Sequence, residues 1–441
     1  MNSRRTFVKS IGLFGLGSLL LSSCQKLGLL RPKKFKGKVI VIGGGAAGVY
    51  ATYLFKKQGI DVTLLEASDT IGGRMGKLLG FADYPIDLGA QWMHGRASIV
   101  GEIVANGNVQ ITNDNTEYSY WFQNQMLTSL PKDISIFEGD GLPDVSFEQY
   151  ASDQGFSADY LPIVESLAGD YGADASDLSV NMTNFEESNW SSGDEDYKFK
   201  ETYYDTIISN FGNQIAALVK TQSVVNHIDY ALDQVTVSCV NGQVYTADKV
   251  LITVPITVLQ SSDIQFNPIL PINKTIAFSK IGMGPGMKVF LKFSSKFFAD
   301  NIYGGTVCAA YFNDDIGKVT NDFVLIAFVM GNQAATLSAL PNDAAVVSAL
   351  IAELDLMYNG LATSNFLDAF VQDYLKKPFI RGAYSYSKLG IEETSRTTAS
   401  QSIDNKLFFA GEAMNLNGHH QTVHGAVETG FREFSNIMEL S

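Results

Sequence analysis

The sequence predicts an α/β fold, and three features of residues 39–74 predict it. Residues 39–48 read V-I-V-I-G-G-G-A-A-G, residues 62–66 read V-T-L-L-E, and residues 71–74 read I-G-G-R. First, four successive β-branched residues suit a buried strand. Second, Gly43, Gly45 and Gly48 give G-x-G-x-x-G where that strand turns into a helix. Gly43 allows the tight turn, Gly45 lets a pyrophosphate approach the backbone, and Gly48 lets helix and strand pack closely. The pyrophosphate would rest on orphan N–H groups at the helix start, around Ala46 and Ala47. The helix runs through Tyr50, Leu54 and Phe55 to Gly59, a residue suited to a C-cap. Third, a second apolar strand ends in Glu66, placed to bond a ribose hydroxyl. Strand, glycines, helix, strand and acid in that order predict a Rossmann-like dinucleotide-binding unit.

A chain of 441 residues is too long for one ordinary core, so at least two domains are expected. A hydrophobic content of 46% with 28 Phe and 19 Tyr excludes a disordered chain. The three cysteines, Cys24, Cys239 and Cys308, make neither a disulfide scaffold nor a metal cluster. The N-terminus reads as targeting. Residues 3–9, S-R-R-T-F-V-K, fit a twin-arginine signal. The apolar stretch 11–21 is shorter than the ~20 residues a membrane span needs. L-S-S-C at 21–24 resembles a bacterial lipobox, with Cys24 lipidated. The expectation is a signal at 1–23, a basic tether at 24–38, and a folded protein exported to the cell envelope. It would be lipid-anchored there, with the outer membrane favoured by Gln25 after the cysteine. Residues 1–38 hold nine basic side chains and no acid, leaving 23 basic and 46 acidic, net −23, in the remainder. Within 116–200 there are 17 acidic residues and three lysines. Such a body excludes nucleic-acid binding as a first reading. It is either a solvated acidic surface or a field that attracts cationic ligands.

The segment after Glu66 selects the cofactor. E-A-S-D-T-I-G-G-R, residues 66–74, adds Ala67, the close-approach Gly73, and Arg74, which can neutralise phosphate. This pattern resembles the FAD-binding start of the flavin amine oxidase superfamily. Further segments resemble that family in order. L-G-A-Q-W-M-H-G at 88–95 looks like its polyamine-oxidase version and brings Gly89, Ala90, Gln91, Trp92 and His94. Val225 and Ile228, an alternating strand 235–240, the Asn241-Gly242 turn and residues 244–255 look like the second FAD block. Asn-Gly there independently predicts a type I′ hairpin turn. I-G-M-G-P-G-M-K at 281–288 and R-G-A-Y-S-Y at 381–386 resemble the segments that bear the flavin-facing lysine and aromatic residue. F-F-A-G-E at 408–412, with Gly411 and Glu412, and T-V-H-G-A-V-E-T-G at 422–430, with Thr422 and Val423, match the last block.

The resemblance implies an FAD-binding domain in three pieces, 39–95, 206–285 and 385–441. A substrate-binding α+β domain is inserted at 96–205 and 286–384. A helix is expected at 211–219, strands at 288–293 and 323–329, and a helix near 344–356. No apolar stretch follows residue 430 that would match the C-terminal membrane helix of mitochondrial monoamine oxidases.

The resemblance also assigns roles. Lys288 would hold a water near flavin N5, with its pKa lowered by burial. Tyr384 would wall the amine. The register places Thr422 at the second aromatic position, so the two-tyrosine cage of monoamine oxidases is absent. Ala383 stands where those enzymes link FAD to cysteine, which implies non-covalent FAD. Tyr374 replaces a tryptophan against the flavin. His94 would shape the pocket mouth or meet a distal amine. His424 would support the flavin, and no metal site is expected from His419 and His420.

The expected activity is oxidation of a primary or secondary amine, with polyamines among the candidates, to an imine and then an aldehyde, with oxygen reduced to peroxide. Three alternatives stay open. An L-amino-acid oxidase would use Arg96, although Gln91-Trp92 fills its usual arginine region. A desaturase or porphyrinogen oxidase shares the FAD blocks. A non-catalytic flavoprotein partner is sustained by the departures at Tyr374 and Thr422. Oligomeric state and the particular amine are not readable.

Overall fold

The computed structural model describes residues 35–440. The twin-arginine, lipobox and Cys24 readings fall on residues 1–34 and lie outside the described residues.

A five-stranded parallel sheet organises the first domain. Its strand order is Val219–Lys220, Asp61–Leu65, Lys38–Ile42, Lys249–Ile252, Leu407–Phe409. Val39, Ile40 and Val41 are fully buried at its centre, as continuous apolar parallel strands should be. The helix Ala46–Lys57 covers one face. It ends as a Schellman-type cap: Gly59 takes φ 65°, and the N–H of Ile60 bonds the Phe55 carbonyl. The C-terminal helix Val423–Glu439 packs across it, with Phe55 and Phe434 edge-to-face at 5.1 Å. The chain leaves in opposite directions from Lys38–Ile42 and its neighbour Lys249–Ile252. Their carboxyl ends therefore form a topological switch point, where open α/β sheets bind ligands. A four-stranded sheet, Val244–Ala247, Val235–Cys239, Val225–Asp229 and Gln265–Asn267, backs this domain.

The second domain rests on a seven-stranded sheet. Its order is Phe366–Asp373, Gly286–Phe293, Phe323–Met330, Ala310–Asn313, Asn301–Tyr303, Tyr118–Phe122, Gln125–Leu127. The helix Asp343–Tyr358 covers one face through Val346, Leu350 and Leu354. Strands Ile281–Met283 and Ser385–Ser387 pair antiparallel beside the crossings between the domains. Cys239 and Cys308 are both buried free thiols, with no bond between them. Among the described residues, no helix is long and apolar enough to cross a membrane.

Two local expectations need correction. The hairpin at Asn241-Gly242 is not type I′. Its loop spans Val240 to Gly242, closed by the Gly242 N–H on the Cys239 carbonyl, and only Gly242 takes positive φ, at 82°. A type I′ turn needs positive φ at both central residues. The helix expected at 211–219 begins earlier: a helical run starts at Tyr203 and includes a π-turn at Asp205–Ser209. Asp87 accepts the N–H groups of Tyr203 and Tyr204, at 2.8 and 3.2 Å, and so caps it from a distant segment.

Candidate active site

One cavity of about 790 Å³ begins at the switch point and runs into the second domain. Gly43, Gly45, Ala46 and Ala47 line its first end. The Ala46 helix has no capping side chain and no acid in its first turn, so its N–H groups face the cavity as an anion site. A Cβ built on Gly45 would meet nothing within 4 Å, whereas one on Gly48 would lie 2.0 Å from the Gly43 carbonyl oxygen. Gly45 therefore keeps space for a ligand, and Gly48 keeps helix and turn in contact. Glu66, buried, accepts the Gly44 N–H at 2.6 Å and the Ser68 N–H at 2.8 Å, which fixes its carboxylate at the wall.

Arg74 lines the same end with Gly73 and Glu412. Its Nη1 donates to Glu412 at 2.8 Å and to the Ala383 carbonyl at 3.0 Å. Burial alone would raise the Glu412 pKa, but the Arg74 charge and bonds from Arg74, Ser385 and the Gln421 N–H hold it down to about 2. Part of the Arg74 fork thus ties the first and last cofactor blocks together. Gly411 and Val423 complete this wall. Gly48, Ala67 and Val225 do not line the cavity. Val225 is buried in its strand, two residues past Ser223, whose N–H bonds the Glu66 carbonyl.

Lys288 lies where the two domains meet. Its strand, Gly286–Phe293, is buried on both faces, and its ammonium donates to the Gly89 carbonyl at 2.7 Å and to Gln91 Oε1 at 2.5 Å. Burial pushes its pKa down to about 7, against the opposing pull of Asp314 and Asp87. Gly89 has no room for a side chain: a Cβ would fall 1.8 Å from the Arg74 carbonyl oxygen and 2.6 Å from the Tyr374 hydroxyl. Tyr374 donates to the Leu88 carbonyl at 3.2 Å, and burial lifts its pKa to about 12. Ala90 is also on this wall.

The far end is aromatic. Trp92 meets Phe312 and Phe328 edge-on, at 5.2 and 6.5 Å. Tyr384 faces the cavity, and its hydroxyl donates to the carbonyls of Gly169 and Asp170 at 3.2 and 3.1 Å. His94 Nδ1 bonds Asp196 at 2.6 Å. Thr422 lines the wall, but its hydroxyl is the N-cap of the last helix. It donates to the His419 carbonyl and accepts the Gly425 N–H. His424 is buried outside the lining, edge-on to Trp190 and His419. Arg96 stacks on Tyr197, also outside the lining. Among the described residues, no group of His, Cys, Asp and Glu is arranged to hold a metal.

Sequence reasoning passed over Asp114, Asp170, Asp196, Phe312, Phe328 and Gln421, all on the cavity wall. Asp170 and Asp196 belong to the acidic segment, so their type was signalled but not their position. The phenylalanines lie in strands whose facing depends on sheet register.

Fold and cavity define a two-domain dinucleotide-binding protein with a second chamber joined to the nucleotide cleft. The chain belongs to the flavin containing amine oxidoreductases, whose family model matches residues 46–438, and its cofactor is FAD. It is 28% identical to human lysine-specific histone demethylase 2 over 98% of its own length, and spans 57% of that protein. It is 27% identical to the probable polyamine oxidase 4 of Arabidopsis thaliana, over 90% of this chain and 86% of that one. In fold it matches putrescine oxidase bound to putrescine, with a TM-score of 0.77 at 18% identity over 92% of this chain and all of that one.

Proposed function

We propose that the protein is an FAD-dependent amine oxidase that converts a primary or secondary amine, of polyamine type, to an imine and so to an aldehyde, with oxygen reduced to hydrogen peroxide. The observation that carries this reading is one continuous cavity. It joins the unoccupied-by-side-chain cradle at Gly45 to an aromatic chamber, with buried Lys288 at the junction. FAD, when bound, supplies hydride acceptance at N5 and electron transfer to oxygen. The protein's own part is positional. The Ala46 helix start and Arg74 would hold phosphate, and Glu66 would hold the ribose. Trp92, Phe312, Phe328 and Tyr384 exclude water and align the amine. Lys288 keeps a hydrogen-bonding group where oxygen must be reduced. The names of the relatives, polyamine oxidases and histone lysine demethylases, support a substrate nitrogen on a flexible chain. An L-amino-acid oxidase finds less support, because Arg96 packs on Tyr197 rather than on the cavity wall.

The test is a peroxide screen of purified protein against monoamines, polyamines and L-amino acids. Peroxide from an amine is expected. Turnover of L-amino acids alone, or of nothing, would refute the reading. Because Ala383 offers no thiol, acid precipitation should release all the yellow colour into the supernatant; colour retained by the pellet would show a covalent link.

We further propose export by the twin-arginine route and a lipid anchor on Cys24, supported by the S-R-R-T-F-V-K and L-S-S-C patterns. Cys24→Ser should leave a soluble exported protein, and Arg4→Lys with Arg5→Lys should block export. A membrane fraction unchanged by Cys24→Ser would remove the anchor.

A further inference from the structure

We infer that Lys198, buried behind Trp92 and outside the cavity lining, is a positioning residue of the oxidation cycle: with Asp114 it fixes the Trp92 indole, and its charge sets the pH at which Lys288 gives up its proton. The inference rests on the Lys288 role proposed above and deepens it.

Lys198 is one of the three lysines in the acidic stretch 116–200. It belongs to the strand Asp196–Phe199, whose residues are all buried, and is itself 4% exposed. That strand pairs antiparallel with Trp92–His94 and sets Lys198 directly opposite Trp92. Directly opposed residues share one face of a sheet, so lysine and indole meet. The Lys198 ammonium lies 5.3 Å from the centre of the Trp92 ring and donates to the Asn313 carbonyl. Trp92 Nε1 donates to Asp114 Oδ2 at 2.8 Å, and the same oxygen lies 3.9 Å from Lys198. The indole is therefore held by a carboxylate that the lysine in turn holds. Lys288, which does line the cavity, also lies 5.3 Å from that ring. Lys198 is not on the cavity wall, so it acts through Trp92 and Lys288 rather than on a ligand.

Two ammonium groups on one indole disfavour each other's charged form. Around Lys288, Lys198 is the like charge, and Asp314 and Asp87 are the opposite ones. The charged groups facing Lys198 are Asp114, Asp315 and Lys318. His94 and Asp196, beside it on the paired strands, are bonded to each other. Ammonium groups that share a ring in this way lie roughly 10 Å or less apart, and at an effective dielectric of about 20 like charges at ~10 Å move each other's titration by about one pH unit.

The test uses FAD-loaded protein, reduced anaerobically with dithionite and mixed rapidly with oxygen across the neutral pH range. The wild-type reoxidation rate should show one step near neutral pH. Lys198→Gln keeps an N–H for the Asn313 carbonyl but removes the charge, and should raise the midpoint by about one pH unit; Lys198→Met should do the same. Lys198→Arg keeps the charge and should hold the wild-type midpoint. The same midpoints should be read without turnover from the Lys288 side-chain resonance in protein labelled with carbon-13 lysine, assigned by its loss in Lys288→Met. A purely structural role would lower yield or rate in these variants without moving the midpoint. A midpoint unmoved by Lys198→Gln, or raised equally by Lys198→Arg, overturns the inference and leaves Lys288 its role. The wild type offers a check that needs no variant to fold. A buried charge is screened little, so the midpoint should not depend on salt. A midpoint that falls by about one pH unit as salt rises would give control to the exposed acidic surface, and overturns the inference as well. A wild type with no step overturns both this inference and the Lys288 role, while flavin reduction by an amine would still support the oxidase reading.

Discussion

Replacing Lys288 with methionine should slow flavin reoxidation without unfolding the protein. The structure supplies both sides of that balance. The fall of the Lys288 pKa from 10.5 to about 7 corresponds to about 5 kcal/mol between its two protonation states. Methionine removes the cost of burying that amine. It also strips the Gly89 carbonyl and Gln91 Oε1 of their donor, at ~1–3 kcal/mol each. The two effects oppose each other, so stability should change by no more than ~3 kcal/mol. The kinetic effect has no such offset. Losing one preorganised donor beside a developing anion costs about 10²-fold in rate. Rapid mixing of reduced protein with oxygen reads this directly, and thermal melts read the stability. Tyr384→Phe is the comparison: it loses bonds to Gly169 and Asp170 but leaves Lys288 in place. In the wild type the sign of the pH effect follows from the lowered pKa. Lys288 is charged below about pH 7 and neutral above it, so reoxidation should slow as pH rises through 7. In Lys288→Met that step should vanish. Equal reoxidation rates in wild type and Lys288→Met would refute the role.

The remaining expectations concern the cofactor end and the field. Gly45→Ala should fold normally but bind FAD about tenfold or more weakly, since its Cβ would point into the ligand space; Gly48→Ala should lose folded yield, its Cβ being 2.0 Å from backbone. Isothermal titration with FAD and soluble yield separate the two. The folded Glu412 pKa of about 2 lies below its ordinary 4.5, so the group adds about 3 kcal/mol that is fully present above pH 4.5 and is lost as pH falls towards 2. Melting temperatures from pH 6 to 3 should show that loss, and Arg74→Met should flatten it. The second-order reduction constant for spermidine should fall as salt rises, while that for a neutral aromatic amine changes much less; a salt-independent spermidine rate would remove the steering role of the acidic segment.

The cofactor end was readable in the sequence because its physics is local. The turn at Gly43, the helix start at Ala46 and the strand ending in Glu66 are one contiguous stretch; Gly43 is required by its φ of 106°, Gly48 by its contact with the Gly43 carbonyl, and Gly45 by the ligand space beside it. Lys288 was found only through the surrounding motif, because a lysine between apolar residues looks like an exposed one until the strand proves buried on both faces. The hairpin at Asn241-Gly242 and the onset of the helix at Tyr203 were misread for different reasons. Asn-Gly is compatible with more than one loop length, and the Asp87 cap comes from more than a hundred residues away.

The substrate end was readable only in part: Trp92, His94, Tyr384 and Thr422 do line the cavity, but their contacts were not legible, and Thr422 shows why. The register of the last block places it opposite Tyr384, and the structure does put it on the wall. Its hydroxyl, however, is already used in both directions, donating to His419 and accepting from Gly425. Deleting an aromatic ring there and installing a helix cap opens the chamber without adding a free polar group. The next residue back, Gln421, adopts φ 69° and bonds the Tyr171 carbonyl, just past the end of the Asp170 helix. The wall opposite Tyr384 is thus tied to the segment that carries Asp170. In place of two facing rings, this chain has one ring, a helix end and a carboxylate. The tie between Gln421 and Tyr171 joins residues 250 positions apart, which no local pattern could have joined.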